Sequence, residues 1–280
     1  MWKEGLESCM VFATKAKRSL KDIFLLFAVV VVYAGCGKME NDMPDIRLVR
    51  KIDYYRNYDG NSVTFERSEI FRYNNLNRIV EIVDEDGKRM NLIRYTKNTM
   101  VNEIAGWGDV MVYTLNYKGF ISSFSFENDL IANFSYYNDY LQEIEFFIEH
   151  YDIYGEPISG SYFETYIWEN GNLKTIEKEN FLPAMEDIFS ITTFEYSAIQ
   201  NKASSLDFGL FDGSVVAYSG WLGKTSRYLP SKVSSYTGIV QIKNVNRIRY
   251  ELDQYGYPVK IFVQHNNENE NLRAVIEYYN

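Results

Sequence analysis

The chain has 280 residues, a formal net charge of −9, 46% hydrophobic residues and 16% aromatic residues. The acidic balance makes DNA, RNA and anionic lipid surfaces poor partners for the protein taken as a whole. The length and the apolar content are sufficient for one domain with its own core.

The first segment has the pattern of a bacterial lipoprotein signal. Four cations within residues 15–21 precede an apolar run over residues 23–33, and the stretch Tyr33-Ala34-Gly35-Cys36 follows it. The run is too short for a membrane-spanning helix, which needs about 20 residues. We therefore predict a signal peptide over residues 1–35 and lipidation of Cys36. A plain signal peptide and a buried apolar helix are the alternatives, and Met10 is a second candidate start.

Cysteine use agrees with an anchor and excludes an internal disulfide in the processed chain. The two cysteines are Cys9 and Cys36, and Cys9 would leave with the signal peptide. Removal of residues 1–35 takes away five Lys/Arg and three Asp/Glu, which moves the net charge from −9 to −11. Two or three acyl chains, such as palmitate, on Cys36 would anchor the protein stably to the outer membrane, on its periplasmic or its surface face.

Residues 36–46 are polar and are predicted to form a flexible tether. Their acidic residues resemble the export signals of surface-exposed lipoproteins in Bacteroidetes, and a solvated linker explains them equally well. Residues 47–280 are then predicted to form one domain.

From residue 50 onward, aromatic and β-branched residues recur at every second position, which is the period of a half-buried strand. The alternation follows a repeat, in which an aromatic residue precedes a polar turn, an aliphatic residue, two further residues and another apolar residue. Asn and Gly in the turns supply the positive φ that tight hairpins require. The copies begin at Tyr73, Tyr95, Tyr117, Tyr137, Trp168 and Tyr250.

The predicted fold is all-β. Each repeat is a hairpin, so six to eight repeats give about 12–16 antiparallel strands in sequence order. A sheet of that width avoids bare edges by closing, and we expect a meander that forms a barrel or a strongly curved sheet. A flat solenoid of hairpins is the alternative. Residues 181–223 interrupt the rhythm and are predicted to hold one or two short helices and a long connection that caps the sheet.

A large pore through a membrane is disfavoured by the sequence. Glu143, Glu145 and Glu149 alternate on what would be the outward face of a strand. Charges at these positions do not suit a wall that faces lipid.

The C-terminal part of the chain resembles a known family. Residues 223–233, the pair Arg249-Tyr250 and residues 255–261 are similar to an uncharacterised lipoprotein family of gut Bacteroidetes, a domain of unknown function described with a porin-like fold. The hairpin repeats upstream resemble it as well. The resemblance implies an exported, lipid-anchored β-protein, and it carries over no catalytic or binding residues.

Catalytic motifs are missing from the sequence. The chain has two histidines, His150 and His265, and it lacks the zinc-protease, nucleophile-elbow, phosphate-loop and dinucleotide motifs. The run Asp84-Glu85-Asp86-Gly87 has a fragment of calcium-loop character, but a hairpin turn is the better interpretation. No cofactor and no metal are predicted, and the chain is interpreted as a non-enzyme. A carboxylate-based glycan-processing enzyme is the alternative, because acidic residues are plentiful.

Two tryptophans are the candidate ligand-binding residues. Trp107 and Trp221 both lie between glycines, where an indole ring can stack on a sugar or insert into a partner. Packing of each tryptophan over the end of the sheet is the alternative. The sequence therefore predicts a lipid-anchored envelope protein that binds a glycan or an envelope protein, and no nucleic acid.

Overall fold

The computed structural model describes residues 47–57, 62–106, 110–151, 157–180, 190–202, 220–237 and 242–279. The predicted signal peptide, the lipidation site Cys36, the tether and the candidate Trp107 lie outside these ranges. In the ranges that are described, no helix has both the length and the apolar character needed to cross a bilayer.

Sixteen antiparallel strands form one closed barrel, in which each strand pairs with its neighbours in sequence and β1 pairs with β16. Ring closure confirms the predicted all-β meander and leaves no edge strand for other chains to pair with. The strands are β1 Val49–Asn57, β2 Val63–Tyr73, β3 Ile79–Val83, β4 Arg89–Tyr95, β5 Thr99–Ile104, β6 Val110–Leu115, β7 Ile121–Phe126, β8 Asp129–Tyr137, β9 Tyr140–Tyr151, β10 Pro157–Glu169, β11 Asn172–Asn180, β12 Ser190–Gln200, β13 Tyr228–Thr237, β14 Ile242–Leu252, β15 Pro258–His265 and β16 Glu270–Tyr278.

The predicted short helices in residues 181–223 are not borne out in the described part of that region. Residues 190–200 form β12, and residues 220–222 form a turn. β12 pairs with β11 on one side and with β13 on the other, so a helix in its place would open the ring and expose two edges. Residues 181–189 and 203–219 lie outside the described ranges.

Because the strands are consecutive and antiparallel, their connections alternate between the two ends of the barrel. Odd-numbered strands begin at one end, which we call the capped end, and even-numbered strands begin at the other, which we call the polar end. The chain enters β1 at the capped end and leaves β16 there. The long connection between β12 and β13 also lies at the capped end.

Four tight turns share one local design. The side-chain Oδ1 of an Asn or Asp accepts hydrogen bonds of 2.7–3.1 Å from the backbone N–H groups two and four residues later. The residue three positions on has positive φ, which Asn and Gly tolerate. The run at Asp84 is therefore a hairpin turn, as predicted. The four turns begin at Asn74, Asp84, Asn116 and Asp253.

A β-bulge explains the spacing of the sequence repeat. A regular strand points residues i and i+2 to the same face, but the repeat places its apolar residues at i and i+3. In five hairpins at the capped end, one residue after the turn has no partner on the preceding strand, which brings both apolar residues to the inner face. The pairs are Ile79 and Ile82, Ile121 and Phe124, Leu141 and Ile144, Leu173 and Ile176, and Pro258 and Ile261.

Aromatic side chains tie six of the eight even strands to the strand before them. Six side chains donate hydrogen bonds of 2.7–2.9 Å to backbone carbonyl oxygens of the preceding odd strand. Burial raises the pKa of Tyr73, Tyr95 and Tyr278 well above the usual range for a phenol, so these hydroxyls remain donors at neutral pH. The donors and acceptors are Tyr73 and Val49, Tyr95 and Ile79, Trp168 and Leu141, Tyr196 and Leu173, Tyr250 and Pro230, and Tyr278 and Pro258.

Tyr95→Phe should lower the free energy of unfolding by about 1–2 kcal/mol, because the carbonyl of Ile79 loses its hydroxyl partner. Tyr136 supplies a matched control. It also lies at the capped end of an even strand, and its buried hydroxyl has no hydrogen-bond partner. Tyr136→Phe should therefore leave stability unchanged or raise it slightly. Equal losses in urea unfolding of the two variants would contradict the role assigned to the hydroxyl bonds.

Candidate functional site

Apolar side chains fill the interior of the barrel toward the capped end and along its middle. Phe71, Ile93, Met100, Ile144 and Tyr166 are all at most 2% exposed. They belong to two clusters that are joined by shared neighbours such as Phe124 and Phe134. This part of the interior is a packed core.

Residues 220–227, which we call the cap segment, lie across the starts of three odd strands. The N–H of Ile121 in β7 donates to the carbonyl of Trp221 at 2.9 Å, and the N–H of Lys224 donates to Asp139 beside β9 at 2.7 Å. The N–H of Leu173 in β11 donates to the hydroxyl of Ser226, which is 3% exposed. These bonds bear out the predicted capping connection in its described part.

Trp221, one of the two candidate ligand-binding residues, is part of the core. Its side chain is 6% exposed and belongs to the larger apolar cluster. Its ring lies 5.7 Å from that of Tyr95 at an interplanar angle of 62°. The indole therefore packs under the cap segment, and no open face is available for a sugar. Its predicted role in binding remains without support from its position.

The polar end of the interior holds charged side chains that the apolar half lacks. Glu69 is 5% exposed and lies on the inner face of β2, directly opposite Ile52 of β1. It accepts a hydrogen bond of 3.1 Å from Nε of Arg67 and one of 3.2 Å from the hydroxyl of Tyr54. The Arg67 guanidinium also lies 4.3 Å from the centre of the Tyr54 ring.

The charge of this arginine is well supported. Burial, the largest single influence, lowers the pKa of Arg67, but the hydrogen bond and the negative charge of Glu69 together outweigh it and leave the pKa raised. Arg67 therefore stays cationic, and the buried carboxylate of Glu69 keeps its partner.

A second buried carboxylate repeats the arrangement on β10. Glu164 is 6% exposed, accepts a hydrogen bond of 2.7 Å from the hydroxyl of Tyr166, and forms an ion pair with Lys178 of β11. The neighbouring Tyr162 lies one inward position nearer the rim. Burial, followed by the charge of Glu164, raises the pKa of Tyr162 to about 12, so its hydroxyl is protonated at neutral pH.

Amides and one imidazole continue the polar lining. His265 contacts Asn246 through Nδ1 at 2.8 Å and Asn266 through Nε2 at 3.1 Å. Elsewhere on the inner face, the side chain of Asn91 donates to Asn102, which is 4% exposed. These groups present several donors and acceptors with fixed orientations at one end of a packed barrel.

Aromatic rings stand beside this lining on β9 and β10. Tyr162 lies on the inner face of β10, two residues before Glu164, and its ring stacks on that of Phe146 of β9 with centroids 4.4 Å apart. Phe65 is 45% exposed, but a bulge in β2 between Phe65 and Arg67 places it on the outer face, where its ring contacts that of Tyr55. Aromatic rings next to carboxylates and amides are the combination that sugar-binding sites use.

The two buried carboxylates do not converge. Glu69 on β2 and Glu164 on β10 are separated by eight steps around the ring in either direction, and each has its own cation. No group of three or more metal-ligating side chains occurs in the described ranges. The lining is therefore suited to hydrogen bonding of a polar ligand.

The sequence carries a signal for this lining. β2 reads Arg67, Glu69, Phe71 and Tyr73 at alternate positions, and β10 reads Tyr162, Glu164, Tyr166 and Trp168. A charge in the phase of the aromatic residues is a charge on the inner face.

The outer wall is charged along the strands. Arg72 and Arg89 both contact Glu81 across β2, β3 and β4, and Glu195 pairs with Lys232 across β12 and β13. These side chains point away from the core, with Arg72 and Arg89 each 55% exposed. The barrel thus has a charged outer wall and an interior that is apolar toward the capped end and along its middle.

Comparison with solved structures finds the same fold in two proteins of Bacteroides. A porin-like protein from Bacteroides uniformis ATCC 8492 matches with a TM-score of 0.56 and 16% identity, over 82% of this chain and 95% of that one. A porin-like protein from Bacteroides vulgatus ATCC 8482 matches with a TM-score of 0.58 and 15% identity, over 83% of this chain and 99% of that one. No family model and no curated protein matches the sequence. The chain therefore shares the barrel fold of these porin-like proteins.

Proposed function

We propose that the chain is a non-enzymatic, lipid-anchored protein of the cell envelope that binds a glycan at the polar end of its barrel. The observation that carries the proposal is the lining of Glu69, Glu164 and His265 with their fixed partners, beside the stacked rings of Tyr162 and Phe146. Carboxylates and amides accept and donate to sugar hydroxyls, and aromatic rings stack on sugar faces.

The polarity of the wall supports anchoring by lipid instead of by the barrel. Membrane barrels carry an apolar band on their outer wall, whereas the outer wall of this barrel carries ion pairs along its strands. Ion pairs such as Glu195–Lys232 and Lys260–Glu251 would be stripped of water in a bilayer. The domain then stands in water, and the acyl chains on Cys36 attach it to the outer membrane.

The anchor is tested in cells that are fed a labelled fatty acid. The wild-type chain should incorporate the label and the Cys36→Ser variant should not. Continued labelling of the variant would refute the assignment of Cys36.

Binding is tested with the purified lipoprotein in detergent on an array of envelope and host glycans. Tyr162→Ala and Glu164→Gln should each weaken binding of the captured glycan about tenfold or more, because they remove a stacking face and a charged acceptor. Tyr236→Ala and Glu195→Gln are matched controls, since these residues have comparable or greater exposure on the outer wall.

Three outcomes would count against the proposal. A glycan that is cleaved during the assay would favour the carboxylate-based enzyme. Capture of an envelope protein with no glycan would make the ligand a protein. Equal effects of the inner and outer variants would place the binding site elsewhere.

A further inference from the structure

The two ends of the barrel differ in charge, although the chain as a whole is acidic. The described connecting residues at the capped end carry seven cations against two carboxylates, Asp139 and Asp253. Those at the polar end carry five carboxylates against one cation, Lys88. The cations at the capped end are Arg47, Arg78, Lys97, Lys118, Lys202, Lys224 and Arg227, and the carboxylates at the polar end are Asp84, Glu85, Asp86, Glu127 and Glu268.

The connecting segments outside the described ranges keep this asymmetry at the level of sequence. Residues 203–219, between β12 and β13, add two aspartates, and residues 37–46, which lead into β1, add one lysine and three carboxylates, so the capped end keeps an excess of one cation. The segments that join strands at the polar end add six carboxylates and no lysine or arginine.

Large apolar side chains project from the same basic end. Tyr117 is 93% exposed at the tip of the β6–β7 turn, and Leu76 and Tyr137 are each 65% exposed beside their turns. Tyr255 is 55% exposed and lies under the guanidinium of Arg47, 4.8 Å from ring centre to carbon. The described turns at the polar end hold no aromatic residue and no leucine. Tyrosines beside lysines and arginines are typical of surfaces that rest at the headgroup level of a membrane.

A shallow pocket on the capped end has the same character. It has a volume of about 420 Å³ and is lined by Tyr140, Lys224, Thr225 and Arg227 together with two glycines of the cap segment. Lys224 and Arg227 are exposed, and the Lys224 ammonium lies 5.3 Å from the centre of the Tyr140 ring. Two cations and a hydroxyl around a hollow suit a phosphate group.

The chain enters the barrel at the capped end, which is also the end that follows Cys36 most closely in sequence. β1 begins at Val49 at the capped end, so ten residues, 37–46, separate Cys36 from Arg47. Fully extended, ten residues reach about 35 Å. A strand of nine or ten residues spans about 30 Å, so the tether would be nearly exhausted if the polar end faced the bilayer.

We propose that the capped end docks on the anionic phospholipid headgroups of the leaflet that holds the lipid anchor, which points the polar end and its ligand-binding lining away from the membrane. The occupant is a lipid surface, selected by lysines and arginines and by the exposed tyrosines. The orientation rests on the proposed anchor at Cys36, while the attraction to anionic headgroups does not. The net charge of the chain is acidic even though the capped end is basic, because most carboxylates lie on the wall and at the opposite end.

The test places one fluorescent dye at either end of the intact lipoprotein. Asn75→Cys lies in a capped-end turn and Asn267→Cys in a polar-end turn, and both positions are exposed. In the processed, lipidated protein no other cysteine is free to react. With vesicles of phosphatidylcholine and 30% phosphatidylglycerol that carry a headgroup quencher, the dye at position 75 should be quenched and the dye at 267 should not.

The triple variant Lys97→Gln, Lys118→Gln, Lys224→Gln tests the role of the cations. Each cation near an anionic surface is expected to strengthen binding about fivefold. Loss of three cations should therefore lower the equilibrium constant for docking, measured with the dye at position 75, on the order of a hundredfold. The triple variant Lys88→Gln, Arg89→Gln, Lys243→Gln removes the same charge at the polar end and should leave quenching unchanged. Raising the salt to 1 M should relieve the quenching at position 75 in the protein that keeps its lysines, because charges are then screened within about 3 Å.

The outcomes separate the anchor from the docking surface. Loss of the wild-type protein from vesicles after a salt wash would refute the anchor, and low-salt co-sedimentation with anionic and neutral vesicles would then test docking by itself. If the protein is retained after the wash, three results would refute docking. These are equal quenching at positions 75 and 267, quenching at 267 alone, and quenching at 75 that persists in the Lys97 triple variant.

Discussion

Gly223→Ala should lower the free energy of unfolding by about 3 kcal/mol or more and loosen the cap segment. Gly223 has a φ of 87°, and a Cβ built there would lie 2.3 Å from the carbonyl oxygen of Asp139 and 3.3 Å from a ring carbon of Tyr136. The same carbonyl accepts the hydrogen bond from Lys224, so it cannot retreat without breaking that bond. Left-handed strain alone costs about 1–2 kcal/mol, and the collision adds to it.

Gly119→Ala is the matched control for this effect. Gly119 has a φ of 84°, but a Cβ built there meets nothing within 4 Å. It should therefore cost only the strain, about 1–2 kcal/mol. Urea unfolding followed by circular dichroism would report both midpoints. Equal midpoints for the two variants would mean that the close approach of the cap segment to Asp139 does not contribute to stability.

Phe71→Ala should cost about 3–5 kcal/mol, because it leaves a cavity in the core. Phe71 is 0% exposed and lies on the inner face of β2, where it pairs with Ile82 of β3. Phe65 lies on the same strand, but on its outer face and 45% exposed, so Phe65→Ala should cost less than about 1 kcal/mol. The comparison is made on midpoints of chemical unfolding at constant slope.

A large loss on Phe65→Ala would show that its ring belongs to the core and would contradict its place on the outer face of β2. A small loss on Phe71→Ala would contradict the packed interior.

Much of the fold was predictable because it is local. Alternating aromatic and β-branched residues predict strands, and the Asn and Asp turns predict where they reverse. The spacing of Ile79 and Ile82, and of Leu141 and Ile144, also predicts a bulge. Inward-facing residues that are three positions apart do not fit a regular strand. The prediction of helices in residues 181–223 was wrong in the described part. Residues 190–200 form β12, which pairs with β11 on one side and, on the other, with β13, which follows only after a long connection.

The candidate site was less accessible from the sequence. Trp221 lies between glycines, a pattern shared by exposed loops and by segments pressed against a core, and only the contacts with Tyr95 and Ile121 decide between them. Glu69 and Glu164 look like ordinary surface carboxylates until strand pairing assigns them to the inner face. Cys36 and Trp107 lie outside the described ranges, and their roles remain predictions.

The sequence by itself determined the strands, their order along the chain and the chemistry of each turn, because these depend on neighbours a few residues apart. Only the tertiary structure decided that β1 meets β16, that residues 220–227 close one end, and that cations collect there while carboxylates collect at the other. Those features depend on which distant residues become neighbours, and that is settled by ring closure, which removes the last unpaired edges of the sheet.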